Sequence, residues 1–505
     1  WRVNRRILDT LYALHDAGVS NVTDEVVTAH VEPRPAPPAD IEGLTKEQMT
    51  EDQLRRFLEW KREVAEWHTT RRLQGTRAGR FYSATRAANT FKDYPELFFV
   101  YFADNRGRLY PMTYGLNPQG SDLQKSLLEF ARGCSVRRED AERWFLIHGA
   151  NKWGFDKASL DDRARWHLGV RDMLLQIAAD PVNCLDWREA DKPLQFLAWC
   201  FEYERWTYDR VNFRSHHPIS MDGSCNGLQN LSALLRDEIG GRATNLIPQE
   251  VMADVYREVA EATLKRLHAM PLDEAGIVAR WRTAGIERSM VKRAVMTMPY
   301  GVTFRTAWSY VIEETLRAGK VPCFDKTEYR AAADVFMKAM WPAIGEVVVK
   351  GREAMDWLKA AARAILRSLP DEAEPIITWT SPSGFPASQA YFEAELLSIR
   401  THLKGESRIR VAQETDDPDV SKHAAGLAPN FVHSMDAAHL HRVAAAAHAA
   451  AIDSLAMIHD DYGTHADKAQ TLYKIIRREF VAMYEEHDPL EELAKKYIAT
   501  NSRRM

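Results

Sequence analysis

PISMDGSCNGLQNLSALLRDEIGGRATNLIP, residues 218–248, is the stretch around which the rest of the chain is organised. A short apolar segment stops at Asp222, and a Gly-Ser-Cys-Asn-Gly turn leads into an apolar-periodic stretch that predicts a helix. We therefore expect the Asp222 carboxylate at the end of a strand, where Gly223 lets the backbone approach whatever the carboxylate holds. Two interpretations stay open: Asp222 caps the following helix, or Asp222 and the Gly223 carbonyl bind a cation.

The composition indicates a globular protein of several subdomains. The chain has 505 residues, of which 45% are hydrophobic, so two to four subdomains are expected. A formal net charge of −4 argues against a uniformly basic coat on nucleic acid but allows a local basic cleft. Five cysteines without a CxxC pair predict neither a disulfide framework nor a zinc site, which favours a reducing, intracellular compartment. We expect no membrane span and no leader.

The first ninety residues predict two helical regions separated by a linker. Residues 1–30 have a helical pattern, 31–40 are rich in proline, and about 45–90 form a long charged helix. Its arginines beyond residue 70 have few compensating acids, so they either line a solvated face or contact phosphates. These arginines are Arg71, Arg72, Arg77, Arg80 and Arg86.

A hairpin with two arginines on its turn is predicted at 97–119. Arg106 and Arg108 share the Asn-Arg-Gly-Arg turn, where they are either exposed or a clamp for phosphate or ribose. Residues 122–204 predict several helices, whose tryptophans we expect in the core rather than stacked on bases. These tryptophans are Trp144, Trp153, Trp166, Trp187 and Trp199.

Residues 287–301, ERSMVKRAVMTMPYG, predict a helix with a basic edge. Arg288, Lys292 and Tyr300 recur at multiples of four residues and therefore follow one slowly turning face. Pro299 removes a backbone donor, which releases Tyr300 and Gly301 from the regular helix. An amphipathic helix with solvated basic residues is the alternative, but a separate apolar face makes it the weaker interpretation.

Four further elements are predicted towards the C-terminus. Residues 375–415 indicate a strand pair followed by a basic arm that reaches into a groove, and 414–421 an acidic loop. The arm carries Arg400, Lys404, Arg408 and Arg410. A helix is expected to start at Pro429, with His433 near its N-terminus and hence neutral. At 455–466 an apolar strand runs into His-Asp-Asp, which places Asp460 at a hairpin tip.

Together these elements match the needs of nucleotidyl transfer. That reaction uses two hard cations bridged by carboxylates from remote segments, for which Asp222 and Asp460 are suited. A triphosphate also needs cationic side chains opposite the metals, a task that Arg288 and Lys292 can perform.

Long motifs resemble the DNA-directed RNA polymerases of the single-subunit, bacteriophage type. They are MDGSCNGLQNLSALLRDEIGGRATNLIP (221–248), RSMVKRAVMTMPYG (288–301), APNFVHSMDAAHLHR (428–442) and IHDDYG (458–463). Further similar stretches are NRGRLYPMTYGLNPQGSDLQKSLL, LIHGANKWGFDK and FLAWCFEYE. The resemblance follows one order from about the first residues to about 490.

The resemblance implies a role for each matching residue. Asp222 and Asp460 would be the catalytic acids that hold two Mg²⁺ ions, with the Gly223 carbonyl as a further ligand. Arg288 and Lys292 would bind the triphosphate, and Lys292 would also help to protonate the pyrophosphate. Tyr300 and His433 would sense the ribose 2′-hydroxyl. Arg106, Arg108 and Lys125 would contact nucleic acid or the incoming nucleotide.

The implied fold is α+β and mostly α-helical, a right hand of palm, fingers and thumb with a small antiparallel palm sheet. The expected domains are a thumb at 1–94, palm parts at 95–130, 205–238 and 434–505, a helical palm insertion at 131–204, and fingers at 239–433 that include the basic hairpin at about 375–415. The implied function is synthesis of RNA on a double-stranded DNA template from ribonucleoside triphosphates, by a monomer in the cytoplasm of an infected bacterium.

Three departures from the family qualify this expectation. The chain begins at Trp1 near the start of the expected thumb, so we expect the promoter-opening N-terminal domain of the family to be missing. The aromatic C-terminal tail is also expected to be missing. Third, Asp461 follows Asp460 where the family often has a small residue, and we expect Asp461 to be a bystander. The alternative functions are a DNA polymerase of the related superfamily and a truncated, non-catalytic nucleic-acid clamp.

Overall fold

The computed structural model of the chain is built mainly of α-helices, with short antiparallel strand pairs between them. It describes residues 1–19, 21–22, 25–26, 33–250, 252–370, 373–402 and 407–502. This confirms the prediction of a mostly helical α+β chain. The helices are α1 (Arg5–Asp16), α2 (Glu51–Phe91), α3 (Asp122–Ser126), α4 (Glu139–Trp153), α5 (Leu160–Gly169), α6 (Arg171–Ala179), α7 (Pro193–Tyr208), α8 (Asn226–Leu234), α9 (Glu238–Ala243), α10 (Val255–Ala269), α11 (Ile277–Ala284), α12 (Arg288–Thr297), α13 (Phe304–Val311), α14 (Tyr329–Val347), α15 (Val349–Ser368), α16 (Val420–Ala449), α17 (Ala466–Glu486) and α18 (Pro489–Ser502).

The strands are short, and every pairing between them is antiparallel in the described ranges. They are β1 (Arg2–Val3), β2 (Asn21–Val22), β3 (Glu25–Val26), β4 (Tyr101–Ala103), β5 (Leu109–Pro111), β6 (Leu128–Glu129), β7 (Cys134–Ser135), β8 (Arg214–Ser215), β9 (Ile219–Met221), β10 (Ile376–Thr380), β11 (Pro386–Ala390), β12 (Phe392–Thr401), β13 (Ser407–Pro418), β14 (Ala456–Ile458) and β15 (Asp461–Thr464).

A three-stranded sheet in the order β14, β15, β9 positions the acids of interest. Tyr462 lies opposite Met221, and Asp461 lies opposite Ile458. Because the strands are antiparallel, the turn between β14 and β15 emerges at the same end of the sheet as the C-terminus of β9. The residues that follow Met221 therefore meet the hairpin tip.

Two large hydrophobic clusters make up most of the core, and the second of them reaches the sheet. One packs α8 and α10–α16 together, and the other packs α1 against α4, α6 and α7 and includes Ile219 of β9. Tyr462 of β15 belongs to a third cluster between α16 and α17. The tryptophan prediction is confirmed: all five belong to the second cluster, Trp144, Trp187 and Trp199 as buried members and Trp153 and Trp166 as partly buried ones.

Both predicted hairpins form, and the long helix is confirmed. β4 pairs with β5 around the turn that carries the two arginines, and β10 pairs with β11 around the predicted Ser-Pro-Ser-Gly-Phe turn. The basic arm is the pair β12–β13, although Lys404 lies outside the described residues. Helix α2 runs from Glu51 to Phe91 and starts with a capping box between Thr50 and Gln53.

Three sequence predictions were wrong in extent. The first helix ends at Asp16, because Gly18 has a φ of 74° and turns the chain away, while residues 20, 23–24 and 27–30 lie outside the described ranges. The acidic loop at 414–421 is largely strand, since β13 continues to Pro418. In α16, Pro429 lies inside the helix.

The start of α16 shows why the proline signal misled. Asp419 caps this helix by accepting a hydrogen bond from the Lys422 backbone amide at 2.9 Å. The turns on both sides of Pro429 are buried, including Leu427 and Phe431. Packing of a largely buried helix thus outweighs the single backbone donor that Pro429 removes.

Across the described ranges, no helix has both the length and the apolar character that a membrane crossing requires.

Gly149→Ala should destabilise the protein, because a Cβ at this position of α4 would overlap the indole of Trp199 on α7. Overpacking of this kind costs about 1–3 kcal/mol, so we expect a lower thermal unfolding temperature. Gly75→Ala is the matched control, since Gly75 lies on the exposed side of α2 with no atom within 4 Å of the new Cβ. That variant should unfold at the same or a higher temperature. An unchanged unfolding temperature for Gly149→Ala would contradict the packing of α4 on α7.

Candidate active site

Asp222 and Asp460 meet at one end of the three-stranded sheet. Asp222 directly follows β9, and Asp460 lies in the turn between β14 and β15. A Cβ built on Gly223 would lie 3.4 Å from Asp460 Oδ2, so the glycine backbone approaches the second carboxylate closely. The prediction that both acids lie at strand ends is confirmed, and the structure brings them together across 238 positions of sequence.

The two carboxylates oppose each other electrostatically. Burial, followed by the charge of Asp461, raises the pKa of Asp222 to about 6. Burial, followed by the charge of Asp222, raises the pKa of Asp460 well above its ordinary value. The backbone amide of Gly223 donates to Asp222 Oδ1 at 2.9 Å and partly offsets this repulsion. Such a pair favours a bound cation, because a positive charge between the acids relieves both penalties.

The acids fit a hard cation in an open site. Within the part of the chain that the structure describes, no three His, Cys, Asp or Glu residues are arranged as a ligand cluster. Protein atoms crowd the surroundings of Asp222, yet its side chain remains accessible to solvent, so a cation can reach it. Mg²⁺ suits this geometry, since it is commonly held by one or two carboxylates together with water and substrate phosphates.

Backbone strain flanks both acids. Cys225, three residues after Asp222, has a φ of 68°, and His459, the residue before Asp460, has a φ of 54°. Residues other than glycine rarely adopt this left-handed region, and such strain concentrates at functional sites. The surrounding contacts therefore hold each acid-bearing turn in a conformation that its own sequence disfavours.

Arg108 is fixed by a buried ion pair that the sequence analysis missed. Its Nε and Nη2 atoms donate to Asp436 Oδ2 at 2.8 and 2.6 Å. Asn226 of α8 donates to the other oxygen of Asp436 at 2.8 Å. Asp436 is only 1% exposed, and burial of Arg108 is outweighed by this carboxylate, which raises the pKa of Arg108. The turn between β4 and β5 is thereby tied to α8 and α16.

Arg106, on the same turn, contacts His433. Its Nη1 donates to His433 Nδ1 at 2.9 Å, and its Nε donates to Asp104 at 2.9 Å. Burial, followed by the charges of Arg108 and Arg106, lowers the pKa of His433 to about 2. The neutral imidazole was predicted for the wrong reason: His433 lies within α16, which begins at Val420, and not at a helix N-terminus.

Tyr300 packs against His433. Their ring centroids are 4.5 Å apart, and burial, followed by the charge of Asp436, raises the pKa of Tyr300, so the phenol keeps its proton. The effect of Pro299 was predicted correctly. Regular helix α12 ends at Thr297, a 3₁₀ turn covers Met298–Tyr300, and Gly301 follows with a φ of 76°.

The basic edge of α12 is only partly engaged. Arg288 Nε donates to Asp254 Oδ2 at 2.6 Å, and its guanidinium lies 4.8 Å from the ring centroid of Tyr256. Lys292 is exposed at the surface. The protein atoms around it and, after them, the charge of Arg288 lower the pKa of Lys292. The structure thus joins Tyr300, but not Arg288, to the cluster of site residues by direct contact.

Two lysines add positive charge beside the acids. Lys125 of α3 was predicted as a site residue, and its charge lowers the pKa of Asp222. Lys152 of α4 was missed, although it donates to Ser220 Oγ on β9 at 3.1 Å. Lys152 lies in the motif LIHGANKWGFDK, which resembles the family as a whole, but no spacing in the sequence relates Lys152 to Asp222.

The chain is similar in sequence to RNA polymerases of phages and plants. The sequence profile of the DNA-dependent RNA polymerase family matches residues 137–505. The chain is 31% identical to the DNA-directed RNA polymerase of Enterobacteria phage K11 over 98% of its own length, and 34% identical to that of Pseudomonas phage phiKMV over 89%. It is 32% identical to DNA-directed RNA polymerase 2B, chloroplastic/mitochondrial, of Nicotiana tabacum over 96%.

These alignments cover 58%, 55% and 46% of the three relatives, so the chain spans about half the length of the proteins it matches. The sequence identity of the chain to the two phage polymerases is similar to its identity to the plant polymerase. The profile match includes both acids, the basic helix and His433, and it confirms the resemblance that the motifs indicated. The chain belongs to the DNA-dependent RNA polymerase family.

Proposed function

We propose that the chain catalyses template-directed RNA synthesis, transferring nucleotides from ribonucleoside triphosphates to an RNA 3′-hydroxyl on a DNA template. The meeting of Asp222 and Asp460 at one end of the sheet carries this proposal. Family membership and the printed function of the relatives support it. As an enzyme of the phage type, it would act in the cytoplasm of an infected bacterium.

A right-hand arrangement fits the elements described above. The proposed thumb, 1–94, contains the long helix α2, and the proposed fingers, 239–433, contain α12 and the β12–β13 arm. The palm parts, 95–130, 205–238 and 434–505, supply all three strands of the sheet that holds the acids. The helices of 131–204 are the proposed palm insertion, packed beneath β9.

Asp222, Asp460 and the Gly223 carbonyl are the proposed holders of two Mg²⁺ ions, which when bound neutralise the triphosphate and activate the attacking hydroxyl. The close approach of the Gly223 backbone to Asp460 and the repulsion that Asp222 exerts on Asp460 support this assignment. The two carboxylates also exclude other anions from the site until cations are present.

Arg288 and Lys292 are the proposed triphosphate ligands. Asp254 and Tyr256 hold the guanidinium of Arg288 on one side, which fixes its direction before the nucleotide arrives. Lys292, exposed and with its pKa lowered, is suited to donate a proton to the departing pyrophosphate.

Tyr300 and His433 are the proposed readers of the ribose 2′-hydroxyl. The neutral imidazole and the protonated phenol are in ring contact, and Arg106 fixes the imidazole. A neutral donor and acceptor pair recognises a hydroxyl without attracting the phosphates. This arrangement favours an RNA polymerase over a DNA polymerase.

Three cationic side chains and the β12–β13 arm are the proposed contacts to nucleic acid. Arg106 and Arg108 are joined to the site through His433 and Asp436, and the charge of Lys125 acts on Asp222. These three cations are the proposed contacts to the template, the nascent RNA or the incoming nucleotide. The β12–β13 arm has the dimensions of a two-stranded ribbon that enters the major groove of double-stranded DNA. We propose that the chain acts as a monomer.

Asp460→Asn should reduce single-nucleotide extension of an RNA primer on a DNA template by roughly 100-fold or more. The amide keeps the shape of the side chain but binds hard cations poorly. Affinity for the primer–template should stay within about threefold, since the carboxylate does not contribute to backbone binding. Asp453→Asn, an exposed acid before β14, is the matched control and should retain activity. Near-normal extension by Asp460→Asn would refute the two-metal assignment.

Tyr300→Phe should keep RNA synthesis while reducing the preference for ribonucleotides over deoxynucleotides by about tenfold or more, because the hydroxyl that reads the sugar is lost. Competition between the two nucleotide types in primer extension measures this ratio. Tyr310→Phe, whose ring contacts Arg293, is the control and should leave the ratio unchanged. Unchanged discrimination in Tyr300→Phe would remove the sugar-sensing role.

Arg288→Ala should raise the KM for ribonucleotides by about tenfold, because a charge-assisted contact to phosphate is lost. Arg280→Ala is a close match, since Arg280 also pairs with an acid, Glu328 at 2.8 Å, and lies 4.7 Å from the ring centroid of Phe324. Its KM should be that of the unmodified chain. Equal KM changes in both variants would indicate a structural effect rather than triphosphate binding.

A further inference from the structure

Asp461 places a third carboxylate beside the two acids. The register pairs Tyr462 with Met221, the last residue of β9, so Asp461 and Asp222 are the next residues at this end of the two strands. Burial and, after it, the charge of Asp461 raise the pKa of Asp222, as expected of neighbouring carboxyl groups. Facing residues on paired antiparallel strands share one face of the sheet, so both side chains lie on the same side. Asp461 Oδ1 is shielded from solvent and accepts no hydrogen bond from the chain as far as the structure describes it.

Lys152 lies over that same face. Its ammonium donates to Ser220 Oγ at 3.1 Å, and Ser220 shares its face of β9 with Asp222, two residues later. Burial lowers the pKa of Lys152, and among the neighbouring charges Asp461 opposes this lowering most. The other charged groups that face Lys152 are Lys125, Asp122 and Asp222.

We propose that Lys152 and Asp461 form a charge-compensating pair that tunes the affinity of the Asp222–Asp460 site for divalent cations. The added negative charge of Asp461 and the added positive charge of Lys152 cancel beside Asp222. Together, Asp461 and Lys152 therefore add no net charge to the surroundings of Asp222 and Asp460. This inference rests on the proposed function, and it gives Asp461 a role that the sequence analysis did not assign.

Replacing only one residue of the pair should change the affinity for cations, in opposite directions for Asp461 and Lys152. Without Asp461, the ammonium of Lys152 stands unopposed beside Asp222 and repels an incoming cation. Without Lys152, the negative charge of Asp461 beside Asp222 is not compensated, and a cation is bound more tightly than by the unmodified site. Lys152 thus affects cation binding only through its charge beside the acids, and it contacts no reacting atom.

The test is an equilibrium titration with Mn²⁺, followed by electron paramagnetic resonance of the free ion, on the chain bound to an RNA-primed DNA template. Asp461→Asn should weaken Mn²⁺ binding by about 3- to 10-fold, and Lys152→Met should strengthen it by a similar factor. The double variant should bind within about twofold of the unmodified chain. Lys152→Arg, which keeps the charge, should also match the unmodified chain.

Two results would overturn the proposal. If the double variant binds as weakly as Asp461→Asn, then Asp461 is itself a ligand and Lys152 does not compensate it. If neither single change alters Mn²⁺ binding, both residues are bystanders. Lys157→Met is the matched control, since Lys157 is exposed and paired with Asp156 at 2.7 Å, and it should change nothing.

Primer extension by the unmodified chain separates this inference from the proposed function. A chain that extends RNA while the Mn²⁺ series shows no opposite shifts refutes only the charge pair. A chain that binds Mn²⁺ with the expected opposite shifts but adds no nucleotide refutes only the polymerase assignment.

Discussion

The buried carboxylate of Asp436 is the constraint on which the candidate site depends. A charge that is 1% exposed is tolerated only with full hydrogen bonding, and Arg108 and Asn226 supply it from two other segments. Removing one partner would leave an unpaired charge in the interior, which typically costs about 3–5 kcal/mol. This penalty forces the β4–β5 turn and α8 to dock against α16 in one arrangement, and Arg106 and His433 meet as a result.

Unlike Asp436, the carboxylates of Asp222 and Asp460 destabilise the region of the fold in which they lie. Burial and the charge of Asp461 raise the pKa of Asp222, and burial and the charge of Asp222 raise the pKa of Asp460. The left-handed residues Cys225 and His459 hold the acid-bearing turns under strain. Packing around the sheet supplies the stability that this end of it lacks, since Ile219 and Tyr462 are buried in two different clusters. The fold thus sustains a local repulsion that only bound cations relieve, as expected of a site built for reaction rather than for stability.

Local patterns predicted those parts of the site whose signals lie within a few residues. The stop of an apolar strand at Asp222, the hairpin tip at Asp460 and the break at Pro299 are of this kind, and all three are confirmed. The partners of Arg108 and Lys152 were missed, because Asp436 and Ser220 lie 328 and 68 positions away in sequence. The start of α16 was also missed, since burial overrides the propensity of one proline. The domain boundaries stay a prediction.

The most direct measurement is single-nucleotide extension of an RNA primer annealed to a DNA template, with Mg²⁺ and either ribonucleotides or deoxynucleotides. A preassembled primer–template removes any need for promoter opening, so the reaction depends only on the site described. We predict extension with a strong preference for ribonucleotides. Binding of the primer–template without addition of either nucleotide would contradict it and identify the chain as a nucleic-acid clamp.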